Sequence, residues 1–238
     1  MPLPEPPLAE RPLFFLDYDG TLAPIVDDPS KAFPHADVPA LLTTLEARYP
    51  LWIITGRHLD HVAALMPDVQ PRGVGLHGTQ EGWLGGEVQS LMTDEAQRSI
   101  ARLRETVPEA EGVWVEEKGT MFAIHYRKAA DKTAAQEIIR DGLGEMPEGL
   151  AAIWGKDVVE IRPEGLSKGV AVRRIASDFP DRTPLYLGDD VTDEDAFQAL
   201  GDEAITVKVG DGETSARYRL PDVEAVVAYL KQYAPESE

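Results

Sequence analysis

Apolar residues along the chain fall into two kinds of run. Short continuous runs end at polar clusters: Leu13-Phe14-Phe15-Leu16 stops at Asp17, Leu51-Trp52-Ile53-Ile54 at Thr55-Gly56-Arg57, and Leu185-Tyr186-Leu187 at Gly188-Asp189-Asp190. Such runs read as strands buried on both faces, the condition of a parallel sheet. Ala204-Ile205-Thr206-Val207-Lys208-Val209 adds a fourth. Between them, apolar residues recur every three or four positions at Val38, Leu41, Leu42 and Leu45 and from Leu59 to Met66. This spacing predicts helices over Val38 to Arg48 and Leu59 to Met66, and another runs through Glu194 to Leu200. Alternating strands and helices predict an α/β fold built on a doubly wound parallel sheet.

The middle of the chain has a different pattern. A helix from Thr93 to Thr106 precedes Val113 to Glu117 and Met121 to Arg127, whose alternation around Gly119 predicts an antiparallel hairpin. The set repeats: a helix over Asp131 to Leu143, then Ala151 to Trp154 and Val158 to Arg162 around a turn. Two such halves predict a small α+β cap domain at 93–163, inserted between core segments 1–92 and 164–238. The Pro-rich stretch 1–11 is expected to be a disordered tail.

Composition narrows the function classes. With 43% hydrophobic and 27% charged residues among 238, the chain can bury one full core and a smaller second one. Its 42 acidic residues against 23 basic ones give a net charge of -19, which opposes binding to nucleic acid or anionic lipid. No apolar run approaches the roughly 20 residues that span a bilayer, and the N-terminus lacks the basic start and apolar stretch of a signal peptide. A soluble, cytoplasmic protein is expected, and the acidic surface argues neither for a monomer nor for a dimer. The absence of cysteine leaves catalysis to oxygen and nitrogen groups.

The polar clusters lie where open parallel sheets bind ligands, at the carboxyl ends of strands. Asp17 and Asp19 flank Tyr18, and both can reach one pocket. A phosphate ester resists attack because its oxygens are negative, so a carboxylate nucleophile needs a cation beside it and a donor for the leaving alcohol. Asp17 can attack and Asp19 can donate. Asp189 and Asp190 offer oxygens of the kind Mg²⁺ prefers, while Asp193, one helical turn on, can hold metal-bound water or orient a lysine. Thr55 with the Gly56 amide, Arg57 and Lys168 are candidate phosphate donors. Singly, each is an ordinary cap, loop or solvated charge; together, all at strand ends, they form a phosphoryl-transfer set.

Four segments, Asp17-Tyr18-Asp19-Gly20-Thr21, Thr55-Gly56-Arg57, Lys168-Gly169 and Gly188-Asp189-Asp190-Val191-Thr192-Asp193-Glu194-Asp195, resemble the motifs of the haloacid dehalogenase superfamily of phosphatases. The resemblance implies a Mg²⁺ enzyme with Asp17 as nucleophile, Asp19 as general acid and base with its backbone carbonyl on the metal, and Asp189 as a further ligand. Leu22-Ala23-Pro24-Ile25, and Gly75-Leu76-His77-Gly78 with Glu81, are similar to trehalose-6-phosphate phosphatases within it. By that likeness Glu116, Lys118, Arg127 and Glu160 hydrogen-bond the distal glucose of a sugar phosphate, and the enzyme is functionally coupled to a trehalose-6-phosphate synthase.

Several readings stay open at this level. Glu116 and Lys118 also suit an exposed charge pair, and His77 and His125 suit either ligand contact or a bond to backbone carbonyl. The core chemistry does not choose the alcohol, so a phosphatase for sucrose phosphate, mannosyl-phosphoglycerate or hexose phosphate is the nearest alternative. A silent sensor of trehalose 6-phosphate predicts loss of Asp17, Asp19 or Asp189, and all three are present. A phospho-acceptor signalling domain would not need the inserted cap.

Overall fold

The computed structural model describes residues 3–118, 121–155 and 157–234, with Lys118 by its backbone only. The chain divides into two compact units, Met1–Gln89 with Ser167–Glu238, and Ser90–Leu166. The first segment forms β1 (Pro12–Leu16), α1 (Val38–Glu46), β2 (Leu51–Ile54), α2 (Leu59–Leu65), β3 (Arg72–Gly75), β4 (Gln80–Trp83) and β5 (Val88–Ser90). Then follow α3 (Asp94–Thr106), β6 (Trp114–Lys118), β7 (Met121–His125), α4 (Lys132–Leu143), β8 (Leu150–Gly155) and β9 (Val158–Pro163). The chain returns through α5 (Lys168–Ser177), β10 (Thr183–Gly188), α6 (Val191–Leu200), β11 (Ile205–Val209), β12 (Tyr218–Leu220) and α7 (Val223–Lys231).

The eight-stranded sheet runs β12-β11-β10-β1-β2-β3-β4-β5. It is parallel from β12 to β3, and β4 pairs antiparallel with β3. Successive side chains of a strand point to opposite faces, which is why both faces are apolar. Phe14 and Leu16 pack with α1, α2 and α7, while Leu13 and Phe15 pack with α5 and α6. The same division separates Leu51 and Ile53 from Trp52 and Ile54, and Leu185 and Leu187 from Tyr186. Burying each such side chain stabilises by about 1.5–3 kcal/mol relative to exposure. Strand order reverses at β1, whose Leu16 pairs with Leu187 of β10 and Ile53 of β2. These three strands therefore end level, and the residues following them share one edge.

The second unit is a four-stranded antiparallel sheet, β6-β7-β9-β8. Phe122, Ile124, Val159 and Ile161 form its core with Ile100 and Leu103 of α3 and Ile139 and Leu143 of α4. It begins at Ser90 and ends at Leu166 rather than spanning 93–163, because Met92 and Leu166 also pack on that core.

The structure corrects one expectation: the N-terminal segment, from residue 3 onward, is not a loose tail. The Pro4 carbonyl accepts from Arg219 N at 3.0 Å and the Pro7 carbonyl from Tyr229 Oη at 2.7 Å, while Ala9 N donates to Tyr233 Oη at 2.9 Å. Proline lacks an N–H yet keeps its carbonyl, and its fixed φ reduces the entropy lost on ordering.

Candidate active site

Asp17 is the first residue past β1. Its N donates to the Leu187 carbonyl at 3.0 Å and only 4% of it is exposed. Lys168 opens α5, a helix capped by Ser167, whose hydroxyl accepts from Val170 N. The Lys168 Nζ donates to Asp17 Oδ1 at 2.8 Å and to Asp193 Oδ1 at 2.7 Å. Asp193 is fully buried and also accepts from Tyr186 Oη at 2.7 Å and, through Oδ2, from Asp190 N at 3.0 Å. Asp190 and Asp193 form a capping box at the start of α6. Burial alone would lower the Lys168 ammonium, but the Asp17 and Asp193 charges outweigh it and raise its pKa. Burial pushes the Asp17 carboxyl well up against the pull of Lys168, and the Asp193 and Asp189 charges push the same way.

The Asp189 carboxylate lies directly over Gly20. A Cβ there would stand 2.0 Å from Asp189 Oδ2, and Gly20 has φ +71°. Both facts require glycine. One oxygen each of Asp17, Asp189 and Asp193 lie within 4.8 Å of one another. Burial, then the Asp193 and Asp190 charges, raise Asp189 to about 6. Lys208 on β11 donates to the Asp189 backbone carbonyl. The cluster offers carboxylate oxygens only, so the donor set fits a hard metal ion. Asp190 is exposed and its Oδ1 accepts from Val191 N at 2.7 Å, so it serves as a helix cap outside the three-carboxylate group.

Thr55 and Arg57 follow β2. Thr55 is buried, and its Oγ1 accepts from Arg57 N at 3.0 Å. Arg57 donates through Nε and Nη2 to the two oxygens of Asp19, both at 2.6 Å, and through Nη1 to the Pro29 carbonyl at 2.7 Å. The nearest atoms to a Cβ built at Gly56 belong to the His77 ring.

In the second unit, Glu116 pairs with Ala123 and Ala123 with Glu160 across β6, β7 and β9, which sets both glutamates on one face of that sheet. His125 Nε2 lies 2.8 Å from Glu116 Oε2, and the His125 ring stacks on Trp114 with centroids 4.9 Å apart. Arg127 is exposed just beyond β7. The Lys118 side chain lies outside the described residues.

Sequence reasoning missed Tyr186, Lys208 and Ser167. The signals were present: a tyrosine interrupting Leu185 and Leu187, a lysine inside an apolar strand, and a serine before the lysine that starts a helix.

Residues 15–224 match the model of the trehalose-phosphatase family. A trehalose-phosphate phosphatase of Mycobacterium marinum is 33% identical over 95% of this chain and 62% of its own length. The trehalose-6-phosphate phosphatase of Escherichia coli K12 is 32% identical over 97% of this chain and 90% of its own length. Among solved structures, an Aspergillus fumigatus trehalose-6-phosphate phosphatase is similar with a TM-score of 0.73 and 26% identity, covering 94% of this chain and 92% of that one. Thus this chain spans less than two thirds of the mycobacterial relative but nearly all of the bacterial one from Escherichia coli. Matched along residues 15–224, with Asp17 at the switch point of the sheet, the chain belongs to the trehalose-phosphatase family.

Proposed function

We propose that this protein hydrolyses trehalose 6-phosphate to trehalose and inorganic phosphate through an aspartyl phosphate on Asp17. The observation that carries the reading is a buried carboxylate, Asp17, held at 2.8 Å by the Lys168 ammonium within a three-carboxylate cluster at the strand ends. Asp17, Asp189 and the Asp19 backbone carbonyl would hold Mg²⁺, with Asp193 fixing Lys168 because its oxygens are already taken by Lys168, Tyr186 and Asp190 N. Bound there, Mg²⁺ supplies positive charge that screens the ester oxygens and keeps Asp17 ionised.

Asp17 attacks phosphorus, the bond from phosphorus to the sugar 6-oxygen breaks, and Asp19 gives that oxygen its proton. Asp19, now a carboxylate, takes a proton from water, whose oxygen attacks phosphorus and frees phosphate from Asp17. Thr55, the Gly56 amide, Arg57 and Lys168 orient the phosphoryl oxygens. For Asp19 to act, Arg57 must exchange its carboxylate for the incoming phosphate, a stronger anion. Glu116, Lys118, Arg127 and Glu160 are assigned to the sugar hydroxyls, since charged donors and acceptors that lose water on binding reject ligands that leave them unpaired. The substrate would come from a trehalose-6-phosphate synthase, a functional coupling that needs no physical contact.

The test is phosphate release, with Mg²⁺ and with EDTA, from trehalose 6-phosphate, sucrose 6-phosphate, glucose 6-phosphate and mannosyl-3-phosphoglycerate at equal concentration. Dominance of trehalose 6-phosphate, abolished by EDTA, is expected. A flat profile withdraws the sugar contacts, and no release from any ester refutes the phosphatase reading.

A further inference from the structure

Between β3 and β4, the backbone does something costly. Leu76 and His77 both have left-handed φ, 46° and 54°, and Gly78 follows at 110°. Two successive non-glycine residues in this region are strained, and such strain persists only where the surroundings over-determine it. The surroundings here are the two phosphate-handling segments. Leu76 N donates to the Arg57 carbonyl at 2.9 Å and His77 N to the Thr55 carbonyl at 3.1 Å, so the turn is bonded to both ends of Thr55-Gly56-Arg57. The His77 ring covers the middle: a Cβ on Gly56 would lie 2.5 Å from its Cε1 and Nε2. On the other side, a Cβ on Gly78 would lie 2.6 Å from the Ser167 carbonyl, the residue that caps α5 and precedes Lys168.

We infer that Leu76-His77-Gly78 is a positioning element, with His77 its positioning residue, that holds the Thr55–Arg57 loop in register with Lys168. The inference rests on the phosphatase reading and replaces a sugar contact by His77 with a role that is blind to the alcohol. Glycine at 56 and at 78 follows from it: the first admits the ring, the second admits the Ser167 backbone.

The experiment compares wild type, His77→Gly, His77→Asn, Gly56→Ala and the His77→Gly/Gly56→Ala pair on trehalose 6-phosphate and on p-nitrophenyl phosphate with Mg²⁺, and measures competitive inhibition by inorganic phosphate. Glycine and asparagine both tolerate the left-handed backbone, so either variant removes the ring without adding strain. The expected result is a loss in kcat/KM of roughly 10- to 100-fold by the same factor on both esters, the size of loss a small misplacement of reacting groups causes. Phosphate inhibition should weaken, and Gly56→Ala should cost less once the ring is gone, a non-additivity that a double-mutant cycle reads directly. A loss confined to trehalose 6-phosphate would make His77 a sugar ligand and overturn the inference. So would a lowered Tm with unchanged kinetics, or additive losses in the pair. Wild-type activity on the aryl ester alone would remove only the substrate assignment, and the aryl-ester ratio still decides the role of His77. Wild-type silence on both esters would refute the phosphatase reading and this inference with it.

Discussion

Arg57 holds both oxygens of Asp19, with Nε and Nη2 each at 2.6 Å. A carboxylate in a two-pronged guanidinium pair cannot give a proton to a leaving oxygen, so Asp19 must part from Arg57 and carry a proton before it can act as the acid. Asp19→Asn should lower kcat by roughly 10²–10⁴, the span of general acid catalysis. Arg57→Lys, which keeps charge but loses the fork, should raise KM more than it lowers kcat. Steady-state kinetics separates the two, and an Asp19→Asn variant turning over within twofold of wild type would remove Asp19 from proton transfer.

Lys168 is the sole cation bonded to the Asp17 and Asp193 side chains among the described residues, and all three groups are buried. Lys168→Met removes one ammonium and leaves two carboxylates facing each other without compensation. Breaking a buried pair this way costs about 3–5 kcal/mol. Urea unfolding in EDTA at pH 7 should show a loss of that size. A loss below about 1 kcal/mol would mean that the carboxylates simply take up protons, consistent with burial pushing Asp17 up.

The parts of the fold that could be read from the sequence were those with an unambiguous period. The runs at Leu13 to Leu16, Leu51 to Ile54 and Leu185 to Leu187 became β1, β2 and β10 because burial on both faces leaves no other pattern. Strands β3 and β12 escaped notice: Arg72-Gly73-Val74-Gly75 alternates with glycine and Tyr218-Arg219-Leu220 is only three residues long. Within the site, Asp17 and Asp189 were legible because they follow strand ends, and Asp193 because it lies one helical turn further on. The Arg57 to Asp19 pair was not, since it depends on how two loops 38 residues apart cross. Nor could the sequence separate Asp189 from Asp190: the start of α6 turns one carboxylate toward Asp17 and the other onto its own Val191 N–H.

Gly20 is a point where one methyl group decides the site. Alanine there would bring its Cβ to 2.0 Å from Asp189 Oδ2 and force a non-glycine residue to φ +71°. Either the loop or the carboxylate must move, and both carry oxygens that the proposed mechanism assigns to the ion. Gly20→Ala should therefore abolish the rise in Tm that Mg²⁺ gives wild type, together with most activity, while the fold survives by circular dichroism. An undiminished Mg²⁺ shift in a folded Gly20→Ala protein would mean that Asp189 does not take part in holding the ion.

The raised Asp189 gives a pH test with a definite sign. Burial and the Asp193 and Asp190 charges lift its pKa from 3.8 to about 6 in the folded protein without metal. Between those values the folded state holds more proton than the unfolded chain, so Asp189's contribution to stability is complete below the lower value and is lost as pH rises through the upper one. Asparagine mimics the neutral acid and carries no such penalty. In EDTA, the Tm of Asp189→Asn minus that of wild type should be near zero at pH 4 and grow up to pH 7. Adding Mg²⁺ at pH 7 should reverse the order, because the ion restores the carboxylate in wild type and finds no charge on asparagine. The Mg²⁺ gain of wild type should shrink below about pH 6, where each bound ion must first displace the Asp189 proton. Equal Tm values for the two proteins across this range in EDTA would show that Asp189 sits in a fully hydrated environment and that its neighbours' charges are screened.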